Sequence, residues 1–599
     1  MSQLVKHCLT ALVLFTCVCL GSAAAQQSNT ATGAQPASQD PRPDDKPIPV
    51  LKVTTRMVLV DAVVTDGSGK PVNGLQTADF KVLENGKLQQ IRGFSERSPE
   101  LLRRQAPAAA PPTLPSGLFT NITDYHPEDG PLTIILIDAL NTPFFDQPYM
   151  RQGVIRYLQD MGPRQNIVIF TLGRHLGLIQ NLNSDPGLLQ EALKRIASDP
   201  SLKKKSPRAP AVVDQDDRVR ALAQDLLGVG APYDKEHQIA ELERSLAEFF
   251  PGRAEVQVGD RVSSTLEALK RISRSVASYP GRKNLLWLSA GIPLSKDLLT
   301  SGVIGARSYE PEIRETTDLL ADNQLAVYPV DVRGLLPNFL PDASSDIERH
   351  GTLAGPGASS VIGFRSAMLG ASHQAMDYFA EETGGRAYYN RNDIDHGIET
   401  SVKDGSAYYS LGYYPDNKNW DGKFRKIEVK VLRKHLRVHY RRGYYAVDET
   451  QHTAEQNKAA EQEFQDAMAL DALPETALPV VAYVIPPDMD HKQLRVNIGV
   501  DPHAVIFLPQ ANERQEGQLQ FATIVLDGNG NPVTSKANLL NAAMNPQTYA
   551  QIMKRSLVVG QTFDLSPGKY LLRVGVYDLN SHLMGTLTAK AEVPAPKVE

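Results

Sequence analysis

Few residues of this chain are placed to do chemistry, and the clearest is Asp138. It directly follows Leu132-Thr133-Ile134-Ile135-Leu136-Ile137, a continuous apolar run suited to a strand buried on both faces, and it precedes Asn141 and Thr142. A carboxylate at the carboxyl end of such a strand stands where open α/β sheets bind their ligands. It serves equally well as an acceptor for neighbouring backbone N–H groups. Asp331, after Val327-Tyr328-Pro329-Val330, is a second strand-end carboxylate. An enzymatic reading, a hydrolase of envelope polymers, rests on carboxylates such as these. The rest of the motif search is against it. There is no Walker loop, no dinucleotide fingerprint in a βαβ setting, no HExxH and no GxSxG. The 13 histidines include no pair at metal-ligand spacing, and no nucleophile is coupled to a base. The chain is therefore expected not to be an enzyme.

Cysteine chemistry is excluded by position. Cys8, Cys17 and Cys19 all fall in the first 25 residues, where Lys6 and His7 precede an apolar run from Leu9 to Leu20 and Ala23-Ala24-Ala25 forms a small-residue cleavage site. That pattern predicts a secretory signal peptide over 1–25, too short in its apolar part to span a bilayer. Its removal leaves no disulfide, no thiolate nucleophile and no Cys-ligated metal, and no stable transmembrane segment. The expected address is secreted or periplasmic, in a bacterium. Formal charge is −5, from 63 Lys+Arg against 68 Asp+Glu, which argues against nucleic acid as a partner.

The elements that must position Asp138 come next. Residues 26–47 are polar and Pro-rich and read as a disordered leader. An N-terminal β segment is expected over 48–98, with an Asn85-Gly86 hairpin turn, followed by a Pro-rich linker over 99–130. Over 131–400 strands alternate with helices, which implies βαβ units, with insertions at 200–260 and 334–372. Helices are predicted at Tyr149–Met161, Leu188–Ile196, Thr265–Val276, Ile313–Leu320 and His373–Glu382. A β segment over 401–446 is expected to pair with 48–98, since each is undersized alone. A linker helix over 447–475 and a C-terminal β-sandwich over 476–599 complete the chain. Asp527-Gly528-Asn529-Gly530-Asn531 resembles the opening of a calcium loop, but Asn538 stands where a bidentate Glu belongs, so it is read as a turn.

Ile134 to Thr142 resembles the metal-site strand of a von Willebrand factor type A domain. Further blocks, taken in order, resemble an exported family related to that domain and abundant in acidobacteria: Thr55–Ser95, Pro280–Asn284, Val327–Asp331, Glu382-Thr383-Gly384-Gly385-Arg386, and Tyr409–Tyr414 through Arg441–Tyr445. The resemblance implies an α/β fold of the type A kind, Rossmann-like, with a mainly parallel sheet and helices on both faces, accompanied by β-sandwich domains. It implies a Mg²⁺ site in which Asp138 matches the first Asp, Thr142 stands for the last Ser, and Thr265, or Ser264 in its place, supplies the loop Thr. Leu140 and Ala290 depart from the pattern, removing a hydroxyl and a carboxylate. A degenerate site, with Mg²⁺ weak or absent, is the expectation. The implied role is binding of an unidentified protein or envelope component.

Two blocks have simpler readings. Glu382–Arg386 reads as a helix C-terminus capped by glycine. Alternation along a strand puts one of each tyrosine pair (Tyr408 and Tyr409, Tyr413 and Tyr414, Tyr444 and Tyr445) inward, leaving the outward half for an aromatic contact surface.

Overall fold

The computed structural model describes residues 56–98, 101, 114–122, 132–160, 166–183, 251–291, 309–334, 370–390 and 393–595, with short gaps inside these stretches. The expected signal peptide and leader, the helix over Leu188–Ile196, most of both insertions and most of the 99–130 linker lie outside them.

The first strands are β1 (Val58–Thr65), β2 (Phe80–Glu84), β3 (Lys87–Gln89) and β4 (Ile91–Arg97). β2 and β3 join through Asn85 and Gly86, whose φ values of 47° and 80° are the left-handed pair that a tight hairpin demands. β5 (Leu118–Thr120) arises inside the stretch expected to be linker. That expectation is corrected: β5 pairs with a strand of the C-terminal sandwich, described below.

The α/β unit follows as β6 (Leu132–Asp138), α1 (Gln147–Asp160), β7 (Asn166–Leu172), β8 (Leu176–Asn183), α2 (Pro251–Ser275), β9 (Lys283–Ser289), α3 (Glu310–Asp322), β10 (Leu325–Asp331), α4 (372–383) and α5 (Ile394–Ser406). Its five-stranded sheet runs β10-β9-β6-β7-β8, parallel except for the antiparallel edge strand β8. Every residue of β6, β9 and β10 is buried, because helices cover both faces. Period-2 alternation divides β6 between two cores. Ile134 and Leu136 join Val262, Leu266 and Leu269 of α2, while Ile135 and Ile137 join Met150 and Val154 of α1 and Ile394 and Ile398 of α5. α5 thus belongs to this unit and crosses the boundary expected at 400.

The chain returns to β with β11 (Tyr408–Tyr413), β12 (Phe424–Val431), β13 (Arg437–His439) and β14 (Gly443–Tyr445). β1 pairs with β11 and β13, β11 with β4, and β12 with β2 and β14. Two four-stranded sheets therefore mix strands from both sides of the α/β unit around one core, which includes Val60, Val82, Tyr409, Leu411, Tyr413 and Ile427. Tyr413 with Tyr414, and Tyr444 with Tyr445, divide between buried and more exposed as alternation predicts, whereas Tyr408 and Tyr409 are both buried. Tyr408, Tyr409, Tyr413 and Tyr444 are all buried, and of the six only Tyr414 is exposed. Tyr408 is buried because the outer face is covered where it lies: its hydroxyl accepts from Arg282 N at 3.1 Å, and beside it Gln324 Nε2 donates to Asp61 at 3.0 Å.

α6 (Ala454–Ala467) opens on a capping box between Thr453 and Gln456. The last domain holds β15 (Val480–Ile485), β16 (Leu494–Val500), β17 (Leu508–Pro509), β18 (Gln515–Leu526), β19 (Pro532–Met544), α7 (Pro546–Ile552), β20 (Leu557–Phe563), β21 (Gly568–Asp578) and β22 (Met584–Val593). One sheet is ordered β20-β16-β15-β5, the other β17-β18-β21-β22 with β19 on β18. The Asp527 carboxylate accepts from the N–H groups of Asn529 and Asn531 at 2.8 and 2.9 Å, as Asp66 does from Ser68 and Lys70, so both loops are turns closed by their own backbone. Among the described residues no helix is long and apolar enough to cross a membrane.

Candidate functional site at the strand ends

In this sheet the chain runs from β6 outward to β7 and later returns to β9 on the other side of β6. The carboxyl ends of β6 and β9 are therefore the point where strand order reverses, the place where open sheets take ligands. Asp138 lies there, fully buried. Its Oδ1 accepts from Asn141 N at 2.9 Å, and its Oδ2 accepts from Trp287 Nε1 at 2.9 Å and Asn141 Nδ2 at 2.8 Å. The same Asn141 Nδ2 donates to Thr265 Oγ1 at 2.8 Å. Arg261 Nη2 completes the chain of contacts by donating to Asn141 Oδ1 at 3.1 Å. Burial pushes the Asp138 carboxyl up, with the donors of Asn141 and Trp287 pulling against it. Burial also lowers the Arg261 guanidinium, opposed by the Asp138 charge.

Thr265 does not open a helix. It lies well inside α2, its hydroxyl donating to Arg261 O one turn back at 2.7 Å. Ser264 is exposed on the outer face of the same helix, so Thr265 is the residue that reaches Asn141. Thr142 points elsewhere: its Oγ1 accepts from Ala290 N at 3.2 Å, tying the loop after β6 to the end of β9.

A divalent cation here would need the oxygens of Asp138, Thr142 and Thr265 to converge on one open point. Asn141 Nδ2 sits at hydrogen-bonding distance from two of them, and Thr142 is turned to the backbone of Ala290. A carboxamide N–H thus takes the place between Asp138 and Thr265, with a guanidinium behind it as the positive charge. The oxygens of Asp138, Thr265 and Thr142 are thus each engaged by a donor of this chain. Among the described residues no group of three or more His, Cys, Asp or Glu is arranged to hold a metal.

Asp331 ends β10 in a second polar cluster. Arg333 donates from Nε to Oδ1 at 2.9 Å and from Nη2 to Oδ2 at 2.6 Å, and His373 Nε2 lies 2.9 Å from Oδ2. Burial pushes this carboxyl up, but His373 and Arg333 outweigh it and hold it below the usual value. The His373 ring stacks on Tyr389 at 4.2 Å. Gly291, at φ +134°, is packed so closely that a Cβ would lie 2.2 Å from Ser372 Oγ. Both strand-end carboxylates are engaged by several donors, Asp138 by the Ser289 hydroxyl as well.

The Glu382–Arg386 block is an anchor. Gly384 takes φ +79° after α4, and a Cβ on Gly385 would lie 1.9 Å from Val327 O of β10. Thr383 Oγ1 accepts from Val327 N at 2.9 Å. Sequence reasoning missed Arg261, Trp287, Arg333 and His373. Arg261 stands four residues before Thr265 on one helix face, and Arg333 two residues after Asp331, so spacing pointed at both.

No protein-family model and no curated protein matches this chain. Among solved structures, an aerotolerance-related membrane protein from Bacteroides fragilis is similar at 12% identity and a TM-score of 0.22, over 46% of this chain and 98% of that one. An endonuclease/exonuclease/phosphatase from Beutenbergia cavernae is similar at 9% identity and a TM-score of 0.10, over 32% of this chain and 39% of that one. At these TM-scores neither likeness carries an argument about fold or function.

Proposed function

We propose that this is an exported, non-enzymatic binding protein of the bacterial envelope, secreted or periplasmic through a cleaved signal peptide over 1–25. Its α/β unit is of the von Willebrand type A kind, with the divergent metal site closed by its own side chains. It presents the loops after β6 and β9 to a protein or envelope component and needs no cation to do so. The observation that supports this is the strand-order reversal, where Asp138 is boxed in by Asn141 and Trp287 and bridged through Asn141 to Thr265 and Arg261. A site so engaged is suited to holding loops in place. The hydrolase reading has one favourable contact, the carboxylate–imidazole pair of Asp331 and His373. Against it, the Arg333 fork already occupies the same carboxylate.

The test is cross-linking of the purified protein to an envelope fraction, with Leu140→Glu altering a half-buried residue of the loop after β6 that packs against the core, its melting curve recorded beside the parent's so that capture is compared between folded proteins. Capture of a discrete component by the parent protein is expected to persist in EDTA and to fall at least tenfold in the variant. Equal capture by both proteins, or capture that requires Mg²⁺, contradicts the proposal. Release of polymer fragments that stops in Asp331→Asn would establish the hydrolase instead.

A further inference from the structure

Positive charge gathers around one half-buried ring where the β13 side of the two-sheet unit meets the α/β unit. That ring is His439, on β13, whose register against β1 sets His439 opposite Val63 and Arg437 opposite Thr65. Val438 packs on the core between them, so alternation turns His439 and Arg437 together to the outer face. The loop after α4 closes on the same place. A Cβ on Gly384 would lie 2.9 Å from Arg441 N and 3.2 Å from Tyr440 C, and Arg386 follows two residues later. Arg282, just before β9, reaches in with Nη2 donating to Gly384 O at 2.7 Å. Three guanidiniums thus act on one imidazole, at the amino end of β9 and away from Asp138.

The carboxylates nearby do not balance them. Asp404 and Asp61 stand against Arg282, Lys283, Arg386 and Arg437. Asp404 Oδ2 already accepts from the Tyr388 hydroxyl at 2.5 Å and lies 3.6 Å from Arg386 Nη1, while Asp61 accepts from Ser410 and Gln324. Arg437 is exposed and its side chain makes no ion pair among the described residues. The His439 ring has no hydrogen-bond partner among them either, and neither of its nitrogens is shut off from solvent. Burial lowers the His439 pKa first, and Arg386, Arg437 and Arg282 lower it further against the pull of Asp404. Like charges held together repel, and an anion set among them relieves the repulsion. The anion that fits carries more than one charge and several oxygens. A guanidinium fork takes phosphate oxygens two at a time, and a phosphate monoester carries about −1.5 to −2 near pH 7. A carboxylate, with a single charge, would satisfy one arginine.

We propose that Arg386, Arg437 and His439 form a binding site for a phosphate group, carried by a soluble ester or by a lipid headgroup. The phosphate accepts from both guanidiniums and, as pH falls, from the protonated imidazole, so that binding takes up a proton. Calorimetric titration of the purified protein with inorganic phosphate tests this, with acetate as the singly charged control. Saturable binding of phosphate and none of acetate is expected. Arg437→Gln and Arg386→Gln should each weaken it at least tenfold, with ligand-free melting curves close to the parent's. Sulfate, a dianion that does not titrate between about pH 5 and 8, isolates the imidazole: its affinity should rise several-fold as pH falls through that range and stay level in His439→Gln. Co-sedimentation with phosphatidylcholine vesicles, with and without phosphatidic acid, separates the two sources. Pelleting that needs phosphatidic acid and is lost in Arg437→Gln assigns a lipid headgroup, whereas phosphate binding without pelleting assigns a soluble ester. No saturable binding of phosphate, equal binding of acetate, or affinity unchanged in both arginine variants would each overturn the proposal.

Discussion

Replacing Asp138 by asparagine keeps the side-chain shape and changes only what its oxygens can accept. Three N–H groups converge on the native carboxylate, from Asn141 N, Asn141 Nδ2 and Trp287 Nε1. An amide in either orientation turns its own NH₂ onto at least one of them. One bond to a charged group is lost, at about 1.5–3 kcal/mol, and a buried donor is left facing another, at a further cost of about 1–3 kcal/mol. Relief from burying a charge offsets part of this, since burial already disfavours the ionised form of Asp138. The net expectation is a loss of about 2–3 kcal/mol confined to the α/β unit. The chain has two tryptophans, and Trp287 is wholly buried in that unit. In a Trp420→Phe background, urea unfolding followed by fluorescence therefore reports on the site directly. The α/β transition should shift to lower urea in Asp138→Asn, and millimolar Mg²⁺ should move neither protein. A bound ion at 100 times its dissociation constant would stabilise by about 2.7 kcal/mol, which the assay resolves. A variant as stable as its parent refutes the hydrogen-bond account. A Mg²⁺ stabilisation that Asp138→Asn abolishes refutes the closed site.

Other outcomes follow from the same structure. Burial pushes the Glu475 carboxyl up to about 7, with Arg274 pulling against it. A folded-state pKa above the unfolded one gives stability that is present below the ordinary carboxylate range and lost as pH rises toward 7, so Glu475→Gln should flatten the melting temperature between pH 4.5 and 7.5. The swing removed is on the order of 3 kcal/mol. Lys283, buried and pulled down to about 7, works in the other window: stability is present above its unfolded value and falls as pH drops toward 7. Lys283→Met should therefore raise the melting temperature most at pH 7 and below, with little effect near pH 10.5. Gly385→Ala drives a methyl into the Val327 carbonyl and should cost more than about 3 kcal/mol in urea unfolding of the α/β unit, whereas Gly528→Ala, in open space, should cost far less.

How much of this was legible in the sequence depended on the kind of signal. β6, β9 and β10 stood out because strands buried on both faces must be apolar throughout. β5 and β8 did not. β5 is three residues in Pro-rich surroundings, and β8 is an edge strand with Gln180 and Asn181 in its run, so neither carried enough pattern. Thr265 was placed at a helix start because the apolar periodicity begins there, yet the backbone of α2 starts at Pro251. The Tyr408–Tyr409 pair misled for a related reason: alternation says which face a side chain takes and nothing about what covers that face.

The sequence by itself determined the mixed α/β character, the buried central strands, the turn chemistry of Asp66, Asn85 and Asp527, and Asp138 as the residue at the end of β6. These are local properties, set by periodicity and by the conformational limits of a few residues. The state of the site was decided only in three dimensions. Asn141, which fills the place between Asp138 and Thr265, is three residues from Asp138, but its partners Thr265 and Arg261, and Trp287 on Asp138, lie 120 to 149 residues away in sequence. A hydrogen bond is a matter of a few tenths of an ångström. Whether a carboxylate meets a cation, an amide or an indole is settled by how helix and strand pack, which no spacing along the chain records.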